Sequence, residues 1–582
     1  MAGDNNNRKG KDKWNRPRTN DRRDNKRQRR DDNQKEGEGK ESRVWGPRED
    51  NGEPREPRKP KRKVAVMIGY CGTGYCGMQI NPPNKTIEED LYKAFVEAGA
   101  ISKDNAGDLK KSGFMRAART DKGVHAAGNV VSLKLIIEDP DIVEKINSHL
   151  PDQIRVWGIS RTNKAFECRK MCSSRIYEYL IPSYSFLPPK PESALAERLE
   201  AANKKYPGVK RADPEGEKFW SDIKKKLLEE GIVESDIKKA QKIAEDKEQE
   251  ELQQTQQKIL DARAKSQGKK EETSEEKANA EKEAEEKAEE EAEEKIEETA
   301  EEKSEEKSEE DVNTPEEKAS KLKFSEMVKK IKIAEHEARR AYRITPERLE
   351  LIREVLKQYE GVHNFHNFTI SKTFKDPSSQ RNMKSLTVSE GKIIENTEWL
   401  SIKIHGQSFM MHQIRKMIAM TALIVRCGTP VSHLKEAFGR ADLNIPKAPG
   451  LGLLLEQPVY DAYNLRLGTF GYDPLSFDKW KDEVEAFKFK HIYDKIYSEE
   501  EREHVFHKFF SFIDSFRGDS TFGYLAVGPK DVGAEEEKSS NGIAAGVAAG
   551  VAAGAAAVVA SKFVMAGDDE DDELPPDADT EG

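Results

Sequence analysis

A long stretch almost without apolar side chains divides this chain and limits what it can fold into. Residues 234–320 consist mainly of Glu, Lys, Ala and Gln, and residues 271–320 alone hold 24 acidic side chains and 7 lysines. Alanine and Glu–Lys pairs favour helix, yet the stretch has no apolar stripe to bury against a core. A coiled coil is the alternative, but it needs apolar a and d positions that are missing here. We therefore predict a disordered acidic insertion that splits one folded unit, and not a domain.

The net charge of the 582-residue chain, −9, hides a basic folded part. Residues 271–320 contribute −17, and residues 568–582 contribute nine acids and no base, so the rest of the chain carries +17. Lys and Arg side chains that neutralise phosphates supply most of the non-specific affinity of a protein for nucleic acid. The charge distribution therefore favours a phosphate-bearing partner such as RNA.

The N-terminal residues 1–63 contain almost no aliphatic side chains, and we predict a disordered basic arm there. Its basic clusters at residues 22–30 and 58–63 suit nuclear import or contact with RNA, and a merely solubilising tail is the alternative. Five cysteines in a chain of this size do not indicate a disulfide framework, and no apolar signal segment follows Met1. The protein is therefore expected inside the cell.

Near the C-terminus, a stretch of about twenty uncharged residues starts at Gly542 and has glycine at every fourth position up to Gly554. A membrane helix with a close-packing face is one interpretation. Because Ala and Gly are weakly hydrophobic and Leu and Phe are absent, we prefer a low-complexity tail and do not expect membrane binding.

Elsewhere, the hydrophobic pattern predicts an α+β core in which strands and helices alternate. Strands are predicted at residues 64–70, 130–137, 154–159, 175–181, 399–405 and 448–455. Helices are predicted after a capping box of Thr86 and Glu89, and at residues 345–359, 409–425 and 484–516. The expected organisation is a basic arm (1–63), a first half of the core (64–233), the acidic insertion (234–320), a second half (321–480), an accessory helical region (481–530) and a low-complexity tail (531–582).

Residues 116–130, which read RAARTDKGVHAAGNV, contain a candidate catalytic carboxylate. The stretch places Asp121 between two cations directly before a predicted strand, with glycines that allow close backbone approach. A neighbouring arginine keeps a carboxyl group ionised and available as nucleophile or base. From the local pattern alone, a salt-bridged turn before a strand is the preferred interpretation.

Further stretches accompany this one in chain order. They are residues 70–79 (YCGTGYCGMQ), 86–88 (TIE), 150–152 (LPD) with 175–179 (RIYEY), and 409–417 (FMMHQIRKM). Together the blocks resemble the TruA family of tRNA pseudouridine synthases, whose catalytic core reads GRTDAGVHA. The resemblance spans about residues 64–460 and is interrupted by the acidic insertion.

The resemblance implies a pseudouridine synthase fold, with two halves of mixed or antiparallel sheet and flanking helices around a central RNA-binding cleft. It implies that Asp121 is the catalytic residue, as nucleophile or base, and that Arg415 forms an ion pair with it. Arg119 is implied to enter the RNA stack and help extrude the target uridine, and Tyr177 to stack on the flipped uracil. No cofactor is expected, because the reaction is an isomerisation.

The chain departs from the bacterial form of this pattern. Ala118 stands where a Gly precedes the arginine, Lys122 where an Ala follows the aspartate, and Met411 where a polar residue is common. The first two departures, with the basic arm and the insertion, resemble the eukaryotic, fungal-type branch. That branch implies a nuclear enzyme acting on several uridines of tRNA, mainly around the anticodon stem-loop, and also on small nuclear RNA and mRNA.

The alternative is a catalytically inactive RNA-binding or scaffold protein that keeps the fold. Such a protein would be expected to have lost Asp121 or Arg415, and both are present.

Some members of that branch are described as zinc proteins, which directs attention to Cys168, Cys172, His363 and His366. Neither pair has the usual two-residue spacing of a structural zinc hairpin. We predict buried thiols and core or loop histidines, no catalytic metal, and at most a structural zinc.

Overall fold

The structure, a computed structural model, covers the core that the hydrophobic pattern predicts. The described residues are 59–102, 105–106, 109–207, 210–243, 315–370, 372–517 and 522–527. The basic arm up to residue 58, residues 244–314 of the insertion and the Ala/Gly-rich tail lie outside them.

Ten strands in the described part of the chain form one mixed sheet. They are β1 (Arg62–Tyr70), β2 (Met115–Arg116), β3 (His125–Leu135), β4 (Ile154–Arg161), β5 (Ser174–Pro182), β6 (Gly361–Asn364), β7 (Gln380–Val388), β8 (Lys392–Ile394), β9 (Thr397–Gly406) and β10 (Leu453–Val459). Their order across the sheet is β4–β1–β3–β10–β5–β9–β7–β6, with β2 beside β3 and β8 beside β9.

The two parts of the sheet join at a short parallel pairing of β3 with β10, and the other pairings of the sheet are antiparallel. At this seam Leu455 pairs with Ala126 on one side and with Tyr177 on the other. Strand β5 follows β4 in the chain but lies beyond β10 in the sheet. The predicted α+β class is confirmed, and the two parts of the sheet are each antiparallel and join in one mixed sheet.

Helices flank the sheet. The longer ones are α1 (Ile87–Glu97), α2 (Ile142–Ser148), α3 (Ala194–Lys205), α4 (Pro214–Glu229), α5 (Pro315–Ala341), α6 (Pro346–Lys357), α7 (Gln413–Cys427), α8 (Asp461–Leu467), α9 (Lys481–Phe487), α10 (Asp494–Glu503) and α11 (Val505–Ser515), with a π-helical segment at Lys488–Tyr493. None of the helices among the described residues combines the length and apolar character needed to cross a membrane.

Helix α7 lies within the largest apolar core. Every residue of α7 is buried, and the helix ends at Gly428, whose φ of 66° is left-handed. The predicted helical region at residues 484–516 is helical, and its Phe506 and Phe509 belong to the same core as α7. These aromatic side chains therefore tie the C-terminal helices to the helix that carries Arg415.

Helix α5 begins within the segment predicted as the acidic insertion. It packs on α4 through a small apolar cluster that includes Ile223, Leu227, Ile331 and Ala334. The two chain segments that flank residues 244–314 therefore meet in a helical pair.

Three predicted elements start four or five residues away from their predicted positions. Helix α7 begins at Gln413 and not at residue 409, because His412 has a left-handed φ of 58°, which is incompatible with a continuous right-handed helix. Strand β10 begins at Leu453, because Ala448 and Pro449 form hydrogen bonds with Arg415 and the Tyr179 hydroxyl and not with a neighbouring strand. Strand β3 begins at His125, where it meets its parallel partner β10, a pairing that the local pattern does not reveal.

The predicted capping box is wrong. Thr86 occupies the N-cap position of α1, but its hydroxyl makes no capping hydrogen bond and is buried without a hydrogen-bond partner in the described part of the chain. Glu88, in the first turn of this helix, is fully buried and forms an ion pair with Arg116.

Candidate active site

Asp121 lies in the connection between β2 and β3, which we call the Asp121 loop (residues 117–124). The loop turns tightly: the Val124 amide donates to the Asp121 carbonyl at 3.1 Å, and Gly123 has a φ of 74°. The side chain of Asp121 is 21% exposed. The loop therefore presents a partly exposed carboxylate at the start of a central strand.

The glycine-rich segment of residues 71–79 is hydrogen-bonded to the backbone of the Asp121 loop. The Met78 amide donates to the Thr120 carbonyl at 3.1 Å, and the Gly123 amide donates to the Tyr75 carbonyl at 3.1 Å. A Cβ on Gly77 would lie only 2.7 Å from the Thr120 carbonyl oxygen. The close approach therefore requires glycine at this position.

Buried side chains hold the Asp121 loop from the sheet side. The hydroxyls of Tyr70 and Thr120 are 2.9 Å apart, and Asn129 Nδ2 donates to the Ala118 carbonyl at 3.0 Å. These groups are buried, so they limit the conformations that the residues flanking Asp121 can adopt.

A buried ion pair supports the same segment. Arg116 forms an ion pair with Glu88 and donates from its Nη1 to Gln79 Oε1 at 2.7 Å. Burial raises the pKa of Glu88, and the nearby Arg116 charge opposes this rise. The Gln and Glu of two family-like stretches thus serve to fix the start of the Asp121 loop.

Tyr177 lies on β5, one strand beyond β10. Its ring packs edge-on against Phe409, with ring centroids 5.1 Å apart. Burial raises the pKa of the Tyr177 hydroxyl to about 12; the Arg175 charge opposes this rise and the Asp121 charge adds to it. Asp121 and Tyr177 therefore lie within electrostatic reach of each other.

Arg119, two residues before Asp121, is exposed. Its long cationic side chain is therefore available at the surface of the Asp121 loop.

Arg415 lies in the first turn of α7 and is only 5% exposed. Its Nε donates to the Ala448 carbonyl at 2.7 Å, and the Ala448 amide donates back to the Arg415 carbonyl at 3.2 Å. The same loop is fixed by Tyr179, whose hydroxyl donates to the Pro449 carbonyl at 2.6 Å. The guanidinium group is therefore rigidly placed, and its pairing with Asp121 stays a prediction.

His412 is the residue of this site that sequence reasoning missed. Its Nδ1 lies 3.8 Å from Asp121 Oδ2, and its side chain is 5% exposed. Burial lowers the pKa of His412 to about 3; the charges of Lys447 and Arg415 lower it further, and that of Asp121 opposes them. The imidazole is thus neutral near pH 7 and lies within electrostatic reach of both Asp121 and Arg415. The only sequence signal was its place in the family-like stretch, three residues before Arg415.

The four residues considered for zinc have other contacts. The thiol of Cys168 lies 3.2 Å from the Met115 carbonyl, and that of Cys172 lies 3.1 Å from the Ser174 carbonyl. His363 stacks on Phe438, and His366 is buried. Within the described ranges, no three His, Cys, Asp or Glu side chains are grouped so that they could hold a metal ion.

Comparisons with known proteins agree on one family. Residues 355–461 match the family model for tRNA pseudouridine synthase. A Yarrowia lipolytica protein named tRNA pseudouridine synthase 1 is 50% identical over 521 residues, which cover 88% of this chain and 86% of that protein. A Saccharomyces cerevisiae protein of the same name is 49% identical, with 81% and 75% covered. A second S. cerevisiae protein, named tRNA pseudouridine(27/28) synthase, is 33% identical, with 76% and 96% covered.

Proposed function

The chain belongs to the TruA family of tRNA pseudouridine synthases and isomerises uridine to pseudouridine in tRNA, and we propose that Asp121 carries out this reaction. The resemblance seen in the sequence is thereby confirmed. The role of Asp121 is supported by its placement: it is a partly exposed carboxylate on a firmly held loop, within electrostatic reach of Tyr177 and 3.8 Å from His412.

The target base must leave the RNA stack before it reaches this carboxylate, because the reacting atoms are inaccessible inside a stem. We assign extrusion to Arg119, which is exposed two residues from Asp121. We assign stacking on the extruded uracil to Tyr177, whose ring is supported by Phe409. An aromatic plane contributes roughly 1–3 kcal/mol of stacking per base.

The isomerisation breaks the bond between C1′ and N1 of the uracil and forms a bond between C1′ and C5. One proton leaves C5 and one is gained at N1, so there is no net oxidation or reduction. Asp121 either attacks C1′ or removes a proton from the ribose, and both routes need its ionised form. An ion pair with Arg415, whose position is fixed by the Ala448 carbonyl, would keep the carboxylate ionised and oriented.

The decisive experiment incubates the full-length protein with unmodified tRNA and maps pseudouridine by chemical labelling. We expect the wild type to mark the tRNA and Asp121→Asn to leave no mark while still binding it. Asp482→Asn, an exposed aspartate on α9, is the matched control and should behave as wild type. Full marking by Asp121→Asn would contradict the assignment, and a wild type that binds tRNA without marking it would favour the inactive scaffold.

We further propose that the enzyme modifies several uridines, mainly around the anticodon stem-loop, and acts on small nuclear RNA and mRNA as well as tRNA. This proposal is supported by the resemblance to the eukaryotic branch. Such a range of substrates requires recognition of RNA shape more than of sequence. Labelling a panel of unmodified tRNAs, a small nuclear RNA and an mRNA would test it. A mark at a single tRNA position alone would contradict it.

We also propose that the enzyme works in the nucleus, because residues 22–30 and 58–63 form basic clusters typical of import signals. A fluorescent fusion of the full chain should be nuclear, and the same fusion without residues 1–63 should not accumulate there. Equal distribution of the two fusions would contradict this proposal.

A further inference from the structure

His412 lies next to the carboxylate of Asp121, the proposed catalytic residue. Its Nδ1 faces Asp121 Oδ2 at 3.8 Å, is buried and has no hydrogen-bond partner among the residues that the structure describes. A carboxylate oxygen can only accept a hydrogen bond, so a contact here requires the tautomer with the proton on Nδ1. The distance is too long for a hydrogen bond, but contacts of this kind often shorten when substrate binds.

The backbone holds His412 in this position. Its φ of 58° is left-handed, a conformation uncommon for a residue with a side chain. Two hydrogen bonds hold the backbone just before His412: Gln413 Oε1 accepts from the Met410 amide at 2.9 Å, and Thr369 Oγ1 donates to the Met411 carbonyl at 3.1 Å. Backbone strain that the surroundings enforce in this way is concentrated at functional positions.

Burial is the main cause that lowers the pKa of His412 and keeps it neutral, and the cations around it add to this effect. Lys447 on the loop after α7 and Arg415 and Lys416 on α7 all lower its pKa, and Asp121 is the acidic group that opposes them. Lys416 is itself buried and is held by the Thr369 carbonyl at 2.9 Å. His412 is therefore surrounded by fixed cations and is suited to donate a hydrogen bond as a neutral group, and not to form an ion pair.

We propose that His412 is a positioning residue for Asp121, whose carboxylate receives a hydrogen bond from His412 Nδ1 once the target nucleotide is in the site. The contact orients the carboxylate through one of its oxygens. This inference rests on the proposed role of Asp121. Within the fold it also explains why α7 starts one turn late, with a strained residue in place of a regular helical one.

Two substitutions that both tolerate a left-handed backbone test the proposal. His412→Asn keeps a side-chain N–H near the position of Nδ1, whereas His412→Gly keeps the backbone conformation and removes the donor. We expect His412→Gly to lower the single-turnover rate at saturating tRNA by about tenfold or more, with an unchanged Kd for tRNA. His412→Asn should stay within about threefold of wild type, and added imidazole should restore part of the rate of His412→Gly.

The outcomes separate the possible roles. If His412→Gly keeps the wild-type rate, or if His412→Asn loses as much rate as His412→Gly, positioning by Nδ1 is overturned. A purely structural role would lower the thermal midpoint and the rate together, and imidazole would not restore the rate, which also overturns the proposal. The Asp121→Asn variant is measured in parallel: if it stays active, the proposed function of Asp121 fails, independently of the result for His412.

Discussion

The hydroxyl oxygen of Tyr70 on β1 lies 2.9 Å from that of Thr120, the residue directly before Asp121. Asn129 on β3 joins the pair, because its Nδ2 donates to the Tyr70 hydroxyl at 3.3 Å. These polar groups are buried, so the neighbouring strands β1 and β3 help to fix the position of the Asp121 loop.

Removing the Tyr70 hydroxyl should loosen this arrangement. Tyr70→Phe leaves the Thr120 hydroxyl without this partner in a buried place, and we expect a loss of about 1–3 kcal/mol in the free energy of unfolding. The single-turnover rate should also fall. Urea denaturation and pseudouridine mapping measure the two effects. Tyr206→Phe, at an exposed position, is the control and should change neither quantity.

The contact between Gly77 and the Asp121 loop predicts a difference between two similar glycines. Gly77 and Gly74 have φ values of 81° and 82°, so alanine at either position strains the backbone by about 1 kcal/mol. A Cβ on Gly77 would also meet the Thr120 carbonyl, whereas no atom of the described ranges outside its chain neighbours lies within 4 Å of a Cβ on Gly74. Gly77→Ala should therefore lose most of the activity and Gly74→Ala should not. Equal activity of the two variants in the labelling assay would show that the contact does not position Asp121.

The role proposed for Tyr177 depends on its ring and not on its hydroxyl. Tyr177→Phe should keep the single-turnover rate within about threefold, whereas Tyr177→Leu should lower it by about tenfold or more, in line with the loss of one stacked base. Because Tyr177 also packs on Phe409, thermal unfolding of both variants should be recorded. A rate for Tyr177→Phe as low as that for Tyr177→Leu would indicate that the hydroxyl takes part.

Glu500 on α10 should make stability depend on pH. Burial raises the pKa of its carboxyl to about 7, although hydrogen bonds from Tyr184 and the backbone oppose the rise. Because the folded state holds this proton more tightly than the unfolded state, the stabilisation is present below about pH 4.5 and is lost as the pH rises through 7.

The free energy of unfolding should therefore fall by up to about 3 kcal/mol from this group between pH 5 and 8. Glu500→Gln mimics the neutral acid and should remove that part of the dependence. Urea midpoints at several pH values measure it, with the exposed Glu483→Gln on α9 as control. An unchanged pH slope in Glu500→Gln would show that Glu500 is not the group responsible.

Most of the core strands and the main helices could be located from the sequence, because alternating and continuous apolar runs are local signals. The capping box predicted at Thr86 was wrong, because a Thr followed three residues later by Glu does not show whether the Thr hydroxyl reaches the backbone of the helix. His412 was overlooked, because a left-handed backbone and an unpaired Nδ1 depend on contacts from Thr369 and Gln413 that no local pattern reveals.

The family and Asp121 as the leading candidate follow from short motifs in the chain alone, and the α+β class follows from its hydrophobic pattern. The assembly of the site depends on long-range pairing. Leu455 on β10 pairs with Ala126 and with Tyr177, and this seam brings the strand after Asp121 and the strand of Tyr177 to either side of β10. The turn before α7 then places His412 beside Asp121. Residues so distant in sequence become neighbours only because strand pairing and core burial offset the entropy lost in closing the chain between them.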